Sequence, residues 1–373
     1  MLFELPKPNY ERVQPLFAGK IFPMAVKALI EQVLPGVIFV DDPENPKAAC
    51  LWPFTSGGNV RLYLGGMATD AFSHALGQLL TEDIAAKAKA QNKPSFLLYF
   101  PQEPLWEDHL SGNKIFENLR AYKRTYYVFK EAKISWNDKI PPGYSIRPID
   151  KKILENNNLA NLDRVREEIA SMNQSIDAWL EQGFGFCAMH DEKNIIVSWC
   201  TAEYMLGSEC EFGIETVDEY QNKGFGTLTA AAAADYGSSR GFLKLGWDSW
   251  KDNAWSIKTA EKVGYEKVAD YGVYVGCFDP NLHQLYNGYY ELRVKKNPER
   301  AAEIYEQALQ LGETESIHYF TAACANALLR ETETALKYLE RAVERGWTDI
   351  NHEDLIPLHA FSGWEKIVKS LEK

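Results

Sequence analysis

Residues 218–237 read DEYQNKGFGTLTAAAAADYG and directly follow the strand-like run ECEFGIETV at 209–217. A strand that turns at once into a helix leaves free backbone N–H groups at the helix N-terminus, where the helix dipole adds partial positive charge. Gly224 and Gly226 have no Cβ atom, so a phosphate can approach the main chain closely, and Lys223 adds a positive charge beside them. The stretch therefore predicts a phosphate-binding turn.

Two well-known phosphate-binding motifs differ from this turn. A dinucleotide-binding fingerprint needs a glycine or alanine three places after its second glycine, where this chain has Thr229. A P-loop needs a lysine after its last glycine, whereas Lys223 precedes Gly224. The turn therefore binds a different phosphate compound, or it is an ordinary connection before a helix.

The region around the turn alternates strands and helices with short loops. The predicted elements are strands at 144–149, 183–190, 195–206, 209–217 and 242–250, helices near 175–182, 223–240 and 252–263, and a closing strand pair at 264–276. This order predicts an α+β fold built on a mixed α/β sheet.

Two short motifs occur in this region. The first is glutamine or arginine, any two residues, glycine, any residue, then glycine or alanine, and it occurs at Gln221, Gly224 and Gly226. The second is asparagine, any two residues, serine or alanine, with a glycine-aromatic pair some residues later, and it occurs at Asn253, Ser256, Gly264 and Tyr265. In these two motifs the region resembles the GNAT N-acetyltransferase family, over about residues 144–277.

The resemblance implies that acetyl-CoA lies in a gap between two parallel strands that splay apart. The backbone at Ile214 and Thr216 would pair with the pantetheine arm, and amides from about 222 to 227 would hold the diphosphate. The implied cofactor-binding residues are Ile214, Thr216, Gln221, Asn222, Lys223, Gly224, Phe225, Gly226, Thr227, Asn253 and Ser256.

The implied reaction is direct attack of a primary amine on the thioester, which requires a base to make the amine neutral. The strand at 209–217 offers Glu211 and Glu215 as catalytic candidates, and Glu211 occupies a position where the family often carries a base. The alternative for both is a solvated strand carboxylate.

The family's usual proton donor is a tyrosine, and its position in this chain is Ala260. Tyr265, Tyr271 and Tyr274 are nearby candidates to replace it, although a tyrosine in such a position is more often a packed aromatic residue. Water is a further source of the proton.

The chain is expected to contain three parts. Residues 1–140 form an α+β domain that looks like a degenerate GNAT half, and the Pro-Pro-Gly run at 141–143 marks its end. Residues 141–278 form the GNAT domain. In residues 279–373 the segments starting at Ala301 and Ala335 match at an offset of 34, which is the tetratricopeptide (TPR) period and predicts TPR-like helical repeats.

Composition limits the partners and the location of the protein. The net charge of −12 disfavours nucleic acid and anionic membranes, and neither a secretory signal nor a long apolar run is evident, so a cytoplasmic protein is expected. The six cysteines form no CxxC pair, and no metal site is expected.

The sequence therefore predicts an acetyl-CoA-dependent N-acetyltransferase that acts on a small-molecule or peptide amine. Glu203, Glu209 and Asp248 suggest an acidic mouth suited to a cationic amine. The alternative is a noncatalytic CoA-binding module or sensor whose helical repeats recruit a protein partner. In a third interpretation the repeats only cap the fold.

Overall fold

The computed structural model describes residues 1–19, 22–55, 57–100, 104–111, 119–173 and 175–371. The chain forms two compact units, Met1–Val275 and Gly276–Lys373. The Pro-Pro-Gly turn at 141–143 lies inside the first unit. That residues 1–140 and 141–278 are separate domains therefore stays a prediction.

Among the described residues, twelve strands form one sheet. In chain order they are β1 (Phe3–Glu4), β2 (Gly36–Val40), β3 (Ala48–Pro53), β4 (Asn59–Gly66), β5 (Ser95–Tyr99), β6 (Arg120–Phe129), β7 (Tyr144–Pro148), β8 (Gly185–His190), β9 (Ile195–Leu206), β10 (Glu209–Thr216), β11 (Lys244–Trp250) and β12 (Tyr265–Cys277). Across the sheet the order is β1-β2-β3-β4-β5-β12-β6-β11-β10-β9-β8-β7.

This strand order is symmetric when it is read inward from both edges. Strands β1 to β5 come from one side and β7 to β11 from the other, and parallel pairing occurs at β4 with β5 and at β10 with β11. The last strand of each half crosses over: β6 pairs with β11 and β12, and β12 lies next to β5. The unit therefore consists of two halves of similar topology that exchange their final strands.

The helices of the first unit lie between these strands. They are α1 (Gln14–Phe17), α2 (Ala25–Ile30), α3 (Asp70–Leu79), α4 (Ala85–Ala90), α5 (Pro104–Ser111), α6 (Lys151–Leu154), α7 (Leu162–Met172), α8 (Ile176–Gln182), α9 (Phe225–Ser239) and α10 (Ala254–Val263). A π-helical turn joins α3 to α4, and 3₁₀ turns are at Lys7–Val13, Asn137–Lys139 and Asp218–Tyr220.

Helices α9 and α7 cover opposite faces of the second half. The five alanines at 230–234 on α9 are buried against a core that includes Cys200. Val165 on α7 packs in a separate core with Trp199. Neighbouring residues on a strand point to opposite faces of the sheet. The core that contains Trp199 therefore lies on one face of β9, and the core that contains Cys200 lies on the other.

The second unit is helical. Its elements are α11 (Pro280–Arg293), α12 (Pro298–Ala308), α13 (Ser316–Leu328), α14 (Thr332–Glu344), a 3₁₀ turn (Glu353–Leu358) and α15 (Ser362–Leu371). The repeated alanines, Ala301 and Ala335, are both fully buried, on α12 and α14. Within the described ranges, none of the helices has both the length and the apolar character needed to cross a bilayer.

Two strand predictions were incomplete or wrong. The closing strand pair at 264–276 is one long strand, β12, with a register shift between Lys267 and Ala269. Strand β6 was not predicted, because its polar residues obscure an alternating pattern. Arg124 on β6 is tolerated in the interior because it pairs with Asp248 on β11 at 3.0 Å.

Candidate active site

The two parallel strands of the second half part soon after they begin. Strands β10 and β11 are in register from Glu209 with Lys244 to Glu211 with Gly246. Beyond that point β10 remains paired with β9, and β11 remains paired with β6. The edge of β10 that faces β11 therefore offers its backbone groups to an extended ligand.

Helix α9 begins beside this gap with an open N-terminus. Its N-cap residue, Gly224, has φ +89° and no side-chain hydrogen bond caps the helix. The first N–H groups of a helix have no partner within the helix, so those of α9 face outward with the positive end of the dipole. In the first half, the helix after β4 differs because the Thr69 hydroxyl accepts from the Phe72 N–H at 3.1 Å.

A cleft of about 540 Å³ joins the end of β10, the turn, the start of α9 and the first turns of α10. Its lining residues are Ile214, Glu215, Thr216, Tyr220, Gln221, Asn222, Gly224, Phe225, Gly226, Thr227, Asn253, Trp255, Ser256, Lys258, Thr259 and Lys262. The structure thus brings together every cofactor-binding residue predicted from the sequence except Lys223. The Lys223 ammonium instead donates to the Glu219 carbonyl at 2.7 Å.

Several of these side chains build the cleft wall through their own hydrogen bonds. The Gln221 amide donates to Asp218 at 2.8 Å and to the Thr216 carbonyl at 3.2 Å, so it closes the turn. The Asn253 side chain accepts from the Ser256 N–H at 3.1 Å and caps α10. The Ser256 hydroxyl in turn accepts from the Trp247 indole at 3.0 Å.

The sequence interpretation missed two cations in the cleft, Lys258 and Lys262 on α10. Their spacing of four residues puts both on one helix face, and this spacing was visible in the sequence. Together with the amides of α9 they make the cleft suited to a phosphorylated ligand.

Glu211 lies where the strands part and is only 4% exposed. Its Oε1 accepts from the Met24 N–H at 3.0 Å, and the Tyr126 hydroxyl lies beside its side chain in the space over Gly246. Burial, with a contribution from the charge of Asp248, raises the pKa of Glu211 to about 7. A carboxylate with that pKa can take up and release a proton near neutrality.

Glu215 has a different environment. It forms an ion pair with Arg164, and its side chain is 35% exposed. The charge of Glu215 is therefore already compensated by a cation.

A second acidic group lies on the same face of β10. Glu168 on α7 and Glu203 on β9 form a hydrogen-bonded carboxylate pair, and both approach the position that a Cβ of Gly213 would occupy. Burial raises the pKa of Glu168. Burial and the charge of Glu168 raise the pKa of Glu203 well above its usual range.

The other acidic residues expected at the mouth are each paired with a cation. Glu209 pairs with Lys27 at 3.0 Å and with Lys244 at 3.5 Å. Asp248 is held by Arg124, and the Tyr271 hydroxyl donates to it at 2.7 Å. Of the predicted acidic mouth, Glu203 alone belongs to the carboxylate pair.

The position of the family tyrosine lies inside the core, where Ala260 is fully buried. Of the candidate replacements, Tyr265 packs on Trp247 and is 1% exposed, and Tyr274 packs on Phe100. Tyr271 is engaged with Asp248 as described above. None of the three lines the cleft.

One cluster in the second unit has the composition of a metal site. The ligand atoms of Cys324, His352 and Asp354 lie within 4.8 Å of one another. The Arg293 guanidinium already forms an ion pair with Asp354, so a positive charge occupies this position. Burial raises the pKa of Cys324 to about 12, which disfavours the thiolate that a metal needs.

Comparison with known proteins finds similarity to acetyltransferases. The model of a family described as GNAT acetyltransferase matches residues 14–274. An uncharacterized N-acetyltransferase, YdfB, from Bacillus subtilis is 24% identical over 274 residues, which cover 74% of this chain and 98% of that protein.

Two solved structures share the fold. A GCN5-related N-acetyltransferase-like protein from Streptococcus suis has a TM-score of 0.52 and 21% identity, over 72% of this chain and 98% of its own. A GCN5-related N-acetyltransferase from Sphaerobacter thermophilus has a TM-score of 0.52 and 11% identity, over 75% and 96% of the two chains.

Proposed function

Because the chain belongs to the GNAT acetyltransferase family, we propose that it transfers an acetyl group from acetyl-CoA to a primary amine of a small molecule or peptide. One observation carries the proposal. The gap between β10 and β11 opens beside the uncapped N-terminus of α9, within one cleft. A thioester carrier with a diphosphate and a peptide-like arm requires these two features side by side.

The residues of the cleft fit acetyl-CoA. The amides of Phe225, Gly226 and Thr227 offer donors to a diphosphate, and a Cβ at Gly226 would come within 3.0 Å of Thr216 Oγ1. Ile214 and Thr216 would offer backbone groups to the pantetheine arm, and Lys258 and Lys262 would attract the phosphates. Bound there, acetyl-CoA would supply the acyl carbon for the new bond to the amine nitrogen, and CoA would leave as the thiol with one of the two protons that the acceptor ammonium loses.

Glu211 is the base in this proposal. The carboxylate accepts a proton from the acceptor ammonium, since its raised pKa lets it hold that proton near pH 7. The Met24 N–H fixes the position of the carboxylate. Glu215 is not the base in this proposal, because it already forms an ion pair with Arg164.

We also propose that the first half is a GNAT-like half that does not bind the cofactor. The symmetric strand order supports a common topology. Thr69 caps the N-terminus of α3, whereas the N-terminus of the corresponding helix α9 has no side-chain cap. For the second unit, the buried alanines at the repeat positions support a pair of TPR-like repeats.

Calorimetric titration of the whole protein with acetyl-CoA tests the proposal, followed by a thiol-release assay with a panel of amines. We expect binding and amine-dependent release of CoA, with the acetylated amine identified by mass spectrometry. Absence of binding would remove the basis of the proposal. Binding without release across a broad panel would favour a noncatalytic CoA-binding protein.

A further inference from the structure

Arg61 on β4 forms no ion pair with any carboxylate that the structure describes. Its guanidinium approaches the Tyr204 hydroxyl at 3.4 Å and the Met172 sulfur at 3.7 Å. Protein surrounds the guanidinium, although Arg61 retains some accessible surface. Over the described ranges of the chain, no carboxylate forms an ion pair with it. Five N–H donors therefore have two weak contacts between them.

The carboxylate pair formed by Glu168 and Glu203 lies within range of the charge of Arg61. Glu168 and Glu203 can share one proton, so together they carry about one negative charge. Both are close enough to Arg61 to respond to its charge, but neither touches it. The site therefore holds one positive and one negative charge that do not neutralise each other by contact.

Two buried polar groups on the same side also have no partner. Thr201 is the register partner of Gly213, so its side chain leaves the sheet on the face where the pair lies. Its Oγ1 is buried without a hydrogen bond, and so is the indole nitrogen of Trp199, the register partner of Glu215. Unpartnered buried polar groups are costly, and a bound polar molecule can satisfy them.

This arrangement lies beside the proposed base. Gly213 is two residues beyond Glu211 on β10, in the part of the strand from which β11 has departed. A molecule held between Arg61 and the carboxylate pair therefore lies next to the gap where the acyl group would be presented. A simple cationic amine would use the pair and leave Arg61 unpaired.

We propose that the acceptor is an amine that also carries a carboxylate, such as an amino acid. Arg61 binds the carboxylate, and the pair formed by Glu168 and Glu203 binds the ammonium. An arginine fork matches a carboxylate in a two-point hydrogen bond, which gives affinity and orientation. This inference rests on the proposed acetyl transfer and names its acceptor class.

The test uses the full-length protein saturated with acetyl-CoA and pairs of amines that differ only in the carboxylate. Lysine is compared with cadaverine, ornithine with putrescine, and γ-aminobutyrate with propylamine, by kcat/KM for thiol release. We expect the better carboxylate-bearing amine to exceed its partner by about 100-fold, as for a charge pair buried with good geometry. Phosphoethanolamine is included to detect an anion site that prefers phosphate.

The variant Arg61→Gln should remove most of this preference by raising KM for the amino acid, while the affinity for acetyl-CoA stays the same. Arg147→Gln is the matched control, since Arg147 is a surface residue of β7 paired with Asp191, and it should keep the preference. The paired amines test the inference even if Arg61→Gln fails to fold.

Three outcomes would overturn the inference: equal or better turnover of the amines without carboxylate, preference for phosphoethanolamine, or no turnover of any amino carboxylate despite acetyl-CoA binding. The first two would leave the proposed acetyl transfer intact. Loss of acetyl-CoA binding itself would instead refute the proposed function.

Discussion

At the scale of single residues, the two candidate bases differ in how the fold treats their charge. Glu211 is enclosed, accepts one backbone N–H and has a pKa raised to about 7 by burial and Asp248. Glu215 is partly exposed and bound to Arg164. The same strand thus carries one carboxylate that can exchange a proton near neutral pH, Glu211, and one whose charge is compensated by an arginine, Glu215.

We expect Glu211→Gln to lower kcat/KM by about 10²- to 10³-fold, because general-base catalysis is lost while the amide still accepts from Met24. The affinity for acetyl-CoA, measured by calorimetry, should not change. For the wild type, log kcat/KM should rise with pH and level off above about 7, where the carboxylate is ionised. A larger loss for Glu215→Gln than for Glu211→Gln would reverse the assignment.

The carboxylate pair makes a separate prediction about stability. The pKa of Glu203 is raised in the folded protein, so between its ordinary value near 4.5 and its raised value the folded state holds more protons than the unfolded state. Its contribution to the free energy of unfolding is therefore full below about pH 4.5 and is lost as the pH rises.

Glu203→Gln should remove this dependence, since glutamine does not ionise and can still hydrogen-bond Glu168. We expect the variant to gain stability relative to the wild type as the pH is raised from 4.5 to 8, measured by urea unfolding at each pH. Parallel stability curves for the two proteins would show that Glu203 is not a buried, proton-sharing group.

At the scale of elements, the site depends on how a helix begins. Helix α9 begins at Gly224 without a side-chain cap, whereas α3 begins at Thr69 with its hydroxyl on the Phe72 N–H. Both helices follow corresponding strands of the symmetric sheet. The same topology therefore yields an uncapped helix N-terminus in one half and a capped one in the other.

Gly226→Val should weaken acetyl-CoA binding by tenfold or more, on the order expected for loss of phosphate contacts at a helix N-terminus. Its side chain would enter the cleft, and already its Cβ would come within 3.0 Å of Thr216 Oγ1 and 3.4 Å of Ile214 Cδ1. Calorimetry measures the effect.

Thr69→Ala is the matched control, because it removes the cap of the corresponding helix. It should cost about 1 kcal/mol of stability and leave the affinity unchanged. If Thr69→Ala weakened binding as much as Gly226→Val, the effect would be general destabilisation and the helix N-terminus would not be the phosphate site.

The sequence predicted those parts of the site that depend on contacts between residues close together in the chain. Gln221, Gly224 and Asn253 act on backbone within a few residues, and their motifs predicted ten of the sixteen residues that line the cleft. Arg61 and Glu168 enter the site through the sheet order and the packing of α7, and no local pattern marks either residue. The sequence also did not predict the position of the Lys223 ammonium, which donates to the Glu219 carbonyl and does not line the cleft.

At the scale of the whole molecule, the exchange of β6 and β12 ties the two halves of the first unit together. Strand β6 supplies the register partners of β11 from Gly246 to Trp250 and those of β12 from Tyr265 to Val275. Its residue Tyr126 also contributes to the surroundings of Glu211. The first half thus completes both the sheet and the site of the second.

We therefore expect residues 141–278 expressed alone not to fold, because β11 and β12 would each lose a neighbour and expose backbone edges prone to aggregation. Residues 1–275 should fold and unfold in a single cooperative transition, followed by circular dichroism in urea. Adding residues 119–140 to the short fragment restores β6 but not the Met24 N–H, so it should recover part of the structure and leave Glu211 without that hydrogen bond. A folded, acetyl-CoA-binding fragment 141–278 would show instead that the sequence boundary at 140/141 separates two independent domains.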